Sequence, residues 1–177
     1  MAIQPGAHTF GPDNATLRVK TGRSGAAAKA GHDLVLEVTS WEATLDVGDS
    51  PSLQLSADPT SLKVVEGQGG MQALDDDGKA DILKSIDKDV LKKKAIQFRS
   101  TSVDQRDGGL AVDGELELAG KTAPLQFDVR VGDDGTVSGS ATVKQTDWGM
   151  KPYSALFGAL KVNDEVEVVV DGKVPTA

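Results

Sequence analysis

The sequence predicts a mainly β protein: an antiparallel closed barrel of about eight strands with one amphipathic α-helix. Three observations carry that expectation. Apolar residues recur at every second position through most of the 177-residue chain, the pattern of strands with one dry and one wet face. Glycine- and aspartate-rich pairs separate these runs at hairpin spacing. A single segment leaves period two for helical spacing.

In the first run Leu17 and Val19 alternate with Thr16, Arg18 and Lys20. The run Ala26-Ala27-Ala28, beside Gly22 and Gly25, reads as a loop or one short helical turn. Over 34–47 the phase slips, with Leu34, Leu36 and Val38 on one parity and Trp41, Ala43, Leu45 and Val47 on the other. A β-bulge near Ser40 is the expected cause. Leu53, Leu55 and Ala57 continue the alternation, and 61–65 reads as a further strand. Ile82, Ile86 and Val90, with Leu83 and Leu91 beside them, predict a helix over about 78–91 whose apolar face packs on the barrel. Asp75, Asp76 and Asp77 suit its N-terminus, and Lys92, Lys93 and Lys94 its C-terminus.

Beyond the helix, Ile96 and Phe98 begin a second series of strands. It continues through Leu110, Val112, Leu116 and Leu118; Leu125, Phe127, Val129 and Val131; Val137, Ala141 and Val143; and Val166, Val168 and Val170. The turns Arg106-Asp107-Gly108-Gly109, Ala119-Gly120-Lys121 and Gly132-Asp133-Asp134-Gly135 predict short links and an up-and-down order. An antiparallel sheet of this size loses its exposed edges by closing on itself.

Composition narrows the function. The length fits one domain, spanning 1–177, with a substantial core. With 27 acidic and 19 basic residues the net charge is -8, which repels phosphate backbones and anionic lipid headgroups alike and argues against nucleic acid. The absence of cysteine excludes disulfides and thiolate metal sites. The start, Met1-Ala2-Ile3-Gln4-Pro5-Gly6, has neither a basic nor an apolar leader region, so a cytoplasmic location is expected. No run approaches the ~20 apolar residues of a membrane span, so stable membrane insertion is not expected.

The motifs that resemble chemistry do not complete themselves. Gly67-Gln68-Gly69-Gly70 precedes the helix where a phosphate loop would sit, but no Lys-Ser/Thr pair follows and three aspartates face the phosphate position. Asp75-Asp76-Asp77-Gly78 has a calcium-loop flavour, yet Ala73 and Lys84 stand at the first and last ligand positions. The two histidines, His8 and His32, lack carboxylates at metal-binding spacing. Neither a metal nor another cofactor is expected. Ser24, His32 and Asp33 are near in sequence, but adjacent strand residues point to opposite faces, which makes a poor triad.

Three stretches carry a family resemblance. Residues 114–125, Gly-Glu-Leu-Glu-Leu-Ala-Gly-Lys-Thr-Ala-Pro-Leu, resemble the Gly-x-Leu-Thr-x-x-Gly-x-Thr-Lys-Pro stretch of the YceI-like family. Ala95-Ile96-Gln97-Phe98-Arg99-Ser100 resembles its post-helix strand, and Thr146-Asp147-Trp148-Gly149-Met150 its Asp-Phe-Gly-Ile turn. The similarity runs over about 10–174 and implies a lipocalin-like antiparallel barrel that binds polyisoprenoids or related amphiphiles. The family's Asp-x-x-His-Ser opening is here Asp13-Asn14-Ala15-Thr16.

The leading expectation is therefore a non-catalytic carrier for an apolar or amphiphilic, lipid-like molecule. Its lumen would be lined by Leu17, Val19, Leu36, Val38, Phe98, Leu118, Phe127 and Val129, one parity of each strand. Trp148, Tyr153, Phe157 and Leu160 fall in a long connection. The spacing of Tyr153, Phe157 and Leu160 after Pro152 predicts a short helix lying across a barrel mouth, as lid or as plug. Alternation demands a dry face without saying whether it is filled, so a solidly packed stress-related or scaffolding barrel stands as one alternative. A lipid-acting enzyme using His32, Asp33, Arg99 or Asp147 is the other. Oligomeric state is not encoded in any of these signals.

Overall fold

The computed structural model describes residues 4–69, 74–155 and 159–174. Its strands are β1 (Gly6–Phe10), β2 (Ala15–Thr21), β3 (Arg23–Ser24), β4 (Asp33–Val38), β5 (Trp41–Val47), β6 (Ser52–Ala57) and β7 (Leu62–Gln68), followed after a helical segment by β8 (Ile96–Arg106), β9 (Gly109–Leu118), β10 (Lys121–Val131), β11 (Thr136–Lys144), β12 (Ser154–Ala155), β13 (Leu160–Val162) and β14 (Glu165–Lys173). Eleven of them form one antiparallel sheet in the order β1-β5-β6-β8-β9-β10-β11-β14-β2-β4-β7. The short strands β12, β13 and β3 make a separate small sheet.

The expected closed eight-stranded barrel is corrected to an open half-barrel of eleven strands, whose end strands β1 and β7 are not paired with each other. Three corners explain the difference. The run over 34–47 is broken into β4 and β5 at Thr39 and Ser40; β6 and β7, expected as separate strands, part at Asp58; and β1, which the alternation does not announce, is set off from β2 at Gly11, whose carbonyl accepts from the amides of Asn14 and Ala15. The phase slip near Ser40 is thus a corner and not a bulge. On one side of it β4 pairs with β2 and β7; on the other β5 pairs with β1 and β6. Ser61 pins this corner, its carbonyl accepting from the Thr39 amide at 3.0 Å and its hydroxyl from the Ser40 amide at 3.1 Å. Register shifts do occur, but at Val35/Leu36 and at Ser100/Ser102. The up-and-down order holds from β8 to β11, after which β14 returns the sheet to β2.

The helix is also redrawn. Helix α1 (Asp76–Ser85) is capped by Asp75, whose carboxylate accepts from the Gly78 amide at 2.7 Å, and it ends in one π turn over Ile86–Val90. The expected continuous helix over 78–91 therefore starts earlier and widens at its end. The Leu91 amide reaches back five residues to the Ile86 carbonyl, at 2.8 Å. Ile86 and Val90 pack on the core and Leu91 is buried, so the apolar face does meet the sheet. The short turn expected at 26–28 is a 3-10 turn over Ala28–Ala30.

Register places unlike connections at the two ends of the sheet. At one end lie only tight links, at 48–51, Asp107-Gly108 and 132–135. At the other lie the excursions 22–32, 69–95 and 145–164, together with the β9–β10 turn at Ala119-Gly120.

Candidate functional site

A cavity of about 570 Å³ occupies the concave face of the sheet. Its walls are the inward parity of the strands. Leu17, Val19, Leu36, Val38, Phe98, Leu118, Phe127 and Val129, the residues alternation selects, all line it. Ile82, Ile86, Val90 and Leu91 cover it from the helical segment.

Burial is graded along these walls. On β2, Ala15 and Leu17 are buried while Val19 and Thr21 are half-buried; on β10, Val131 and Val129 are buried while Phe127, Leu125 and Ala123 are half-buried. In each case the buried residues sit toward the tight-turn end. There Val47, Val103, Val112 and Val131 pack in the core outside the cavity lining. The space is therefore closed at one end by side chains and lined by half-buried side chains toward the other.

One close approach shapes the wall. A Cβ on Gly114 would stand 2.5 Å from the Phe98 ring, so glycine there lets the ring lie flat across β9. Phe98 then meets Phe127 with ring centroids 5.2 Å apart, tilted by 56°, a favourable aromatic geometry.

Apart from Ser140 on β11, the polar side chains of the lining gather at the long-connection end: Thr21, Arg23, His32, Asp81, Ser85, Gln145, Tyr153 and Lys161. Arg23 acts there as a staple. Its Nη1 donates to the carbonyls of Gly31 and Gln68, and its Nε lies 3.6 Å from an Asp33 carboxylate oxygen. Gln145 is buried, and its side-chain amide donates to the Asn163 carbonyl at 3.0 Å. Asp164 fastens the same excursion, accepting from the Thr146 hydroxyl at 2.6 Å and the Thr146 amide at 2.8 Å. The hydroxyl bond above all lowers its carboxyl pKa below the ordinary value.

The long connection is not the helix its spacing predicts. Ser154 and Ala155 pair with Leu160 and Lys161, and β13 pairs on with β3, so the segment is a small sheet. Backbone hydrogen bonding across strands has overridden the period of three and four. Tyr153 and Leu160 line the cavity, and Tyr153 is 45% exposed. Phe157 lies outside the described residues. Trp148 is not in the lining: it is buried, its indole N–H donating to the Leu116 carbonyl at 2.7 Å. Trp41 does line the cavity, and its buried indole N–H has no hydrogen-bond partner among the described residues.

The groups considered for catalysis are not brought together. His32 lines the cavity, Asp33 pairs with Arg23, and Asp147 is exposed. Arg99 lies in a polar groove with Glu42, Glu115 and Glu117. Among the described residues no cluster of three or more metal-ligating side chains occurs, and no helix is long and apolar enough to cross a membrane. Arg23 is a functional candidate that alternation had within reach, since Leu17, Val19, Thr21 and Arg23 share one parity.

Comparison with known proteins agrees with this architecture. No curated protein matches the sequence. Among solved structures, Burkholderia cenocepacia BcnA superposes with a TM-score of 0.66 at 15% identity, over 91% of this chain and 96% of that one. The Campylobacter jejuni YceI protein gives a TM-score of 0.57 at 12% identity, over 78% of this chain and 82% of that one. A mutant of the latter carrying a monobromobimane guest gives 0.58. These similarities speak to the fold. The model of the YceI-like domain matches residues 13–174, so the chain belongs to the YceI-like family.

Proposed function

We propose that the protein binds and carries, without chemical change, an apolar-tailed amphiphile of the polyisoprenoid or fatty-acid type. The observation that carries this reading is the cavity of about 570 Å³ whose lining is aliphatic and aromatic along its length and polar at one end, within the usual size of a small-molecule site. A tail lies along Leu17, Val19, Phe98, Phe127 and Val129, and its polar group stays toward the long connections. Ten buried methylenes return about 8 kcal/mol before the losses of association, which sets micromolar affinity as the expectation. The unfilled lumen favours carriage over a barrel packed solid, and the separation of Arg99, Asp147 and His32 favours carriage over catalysis.

Organic extraction of the purified protein followed by mass spectrometry tests the reading. An amphiphile recovered in stoichiometric amount, and recovered unaltered after reloading and incubation, is the expected result. A ligand-free extract combined with failure to bind a fluorescent fatty acid would overturn it.

A further inference from the structure

We propose that the long-connection end of the protein docks on the surface of an anionic lipid bilayer through Lys92, Lys93, Lys94, Lys121 and Lys151. The net charge of -8 argues against such a partner only if charge is evenly spread, and it is not. The tight links at the opposite end carry Asp49, Asp107, Asp133 and Asp134, with Arg106, Arg130 and Lys173 on the strand ends beside them. The five lysines all lie at the long-connection end, beside buried Leu91 and Met150 and half-buried Leu118 of the cavity lining.

Their placement follows from the chain. Lys92 follows Leu91 and Lys151 follows Met150, and both leading residues line the cavity; Lys121 opens β10 directly across the turn from Leu118, a third lining residue. The exposed chain at Lys92 and Lys93 is in the left-handed conformation, φ 54° and 55°, which turns it sharply out of the helical segment. Side chains connect these points into one patch. The stem of Lys94 passes 3.9 Å from where a Cβ on Gly120 would stand, and that of Lys121 passes 3.9 Å from the same position on Gly149. All five are exposed, and among the described residues no carboxylate lies within ion-pair distance of any of them. The excursions at this end also carry Asp75, Asp76, Asp77, Asp81, Asp87, Asp89, Asp147 and Asp164, so the five lysines form a local patch within an end of mixed charge. Tyr153, 45% exposed at this end, adds an aromatic residue of the type that settles at the headgroup level.

Screening lets the patch act locally. At physiological salt the Debye length is about 8 Å, so a bilayer surface facing the lysines does not feel the aspartates at the far end of the sheet. Long lysine side chains reach such a surface while their stems stay on the protein. Docking in this orientation sets the half-buried end of the cavity against the membrane, where an amphiphile enters or leaves without crossing water.

The test is co-sedimentation of the full chain with phosphatidylcholine vesicles, with and without added phosphatidylglycerol. Partition more than a hundredfold greater onto the anionic vesicles is expected, weakening as salt rises. The combined variant Lys92→Gln, Lys93→Gln, Lys121→Gln should lose about a hundredfold of that partition, roughly fivefold per lysine. Its affinity for a fluorescent fatty acid in free solution should be unchanged, which shows the variant folded and separates this proposal from the carriage reading. Equal partition onto both vesicle types, partition undiminished in the variant, or retention by soluble heparin without retention by vesicles would each overturn it.

Discussion

Along one strand, β10, the inward side chains pass from buried Val131 and Val129 to half-buried Phe127, Leu125 and Ala123. The residue type hardly changes between the two ends, but the surroundings do. At the tight-turn end the links are only a few residues long, and the Val174 amide closes the last strand onto the Gly135 carbonyl at 3.0 Å. Neighbouring strands there are held in register by turns, and their valines fill the space between them. At the other end the chain makes three long excursions, and the side chains beneath them keep a cavity of about 570 Å³. One apolar parity thus serves as packed core where connections are short and as the wall of a cavity where they are long.

The sharpest way to break this comparison is to place the same charge at both ends. Val112 is 2% exposed, so Val112→Asp buries an unpaired carboxylate and should cost more than about 4 kcal/mol, abolishing the cooperative melt followed by circular dichroism. Val168 lines the cavity and is only half-buried, so Val168→Asp should leave a folded protein with a melting temperature lowered by several degrees. Equal loss of folding in both variants would mean the wall is packed as tightly as the plug.

Filling the cavity is the next test. Ala141 faces it from β11, and Ala141→Trp should weaken binding of a fluorescent fatty acid at least tenfold, about 1.4 kcal/mol, with little change in stability. Undiminished affinity in a folded variant places the binding site elsewhere.

The two tryptophans sharpen the contrast on a smaller scale. Trp148→Phe removes the bond to the Leu116 carbonyl and leaves that buried acceptor open, an expected loss of about 1 to 3 kcal/mol in chemical denaturation. Trp41 has no such partner, so Trp41→Phe should lose only packing in the core and cost less than Trp148→Phe. A larger loss at position 41 than at 148 would contradict the hydrogen bonding.

The smallest effect is a response to acid. Hydroxyl bonds from Thr60, Thr136 and Thr146, ahead of the amide bonds from the same residues, lower the carboxyl pKa values of Asp58, Asp134 and Asp164. A carboxyl whose folded pKa lies below its unfolded value adds stability above the unfolded value, near pH 4, and loses it as pH falls through the folded one. Melting temperature should therefore decline as pH drops below about 4. Asp164→Asn should flatten part of that decline, seen as a smaller slope in the melting-temperature profile.

Alternation by itself determined which residues face inward, because a strand's side chains can only alternate and apolar ones must leave water. Leu17, Phe98, Phe127 and Val129 were legible as wall residues for that reason, and Asp107-Gly108 and Ala119-Gly120 as turns because few sequences tolerate their backbone. The corners at Gly11, Ser40 and Asp58 were not. A corner and a bulge both reverse parity, and only the identity of the pairing partners separates them, a fact held in β1, β5 and β7 together rather than in any one segment. The small sheet of β12, β13 and β3 is not legible in the helical spacing for the same reason. Two short strands with little intrinsic preference acquire their conformation from β3, which lies far away in the chain. Whether the inward face is full or empty was decided by tertiary structure alone, since it depends on how far apart the strands and the helical segment are held, and side-chain volume in a linear pattern carries no measure of that distance.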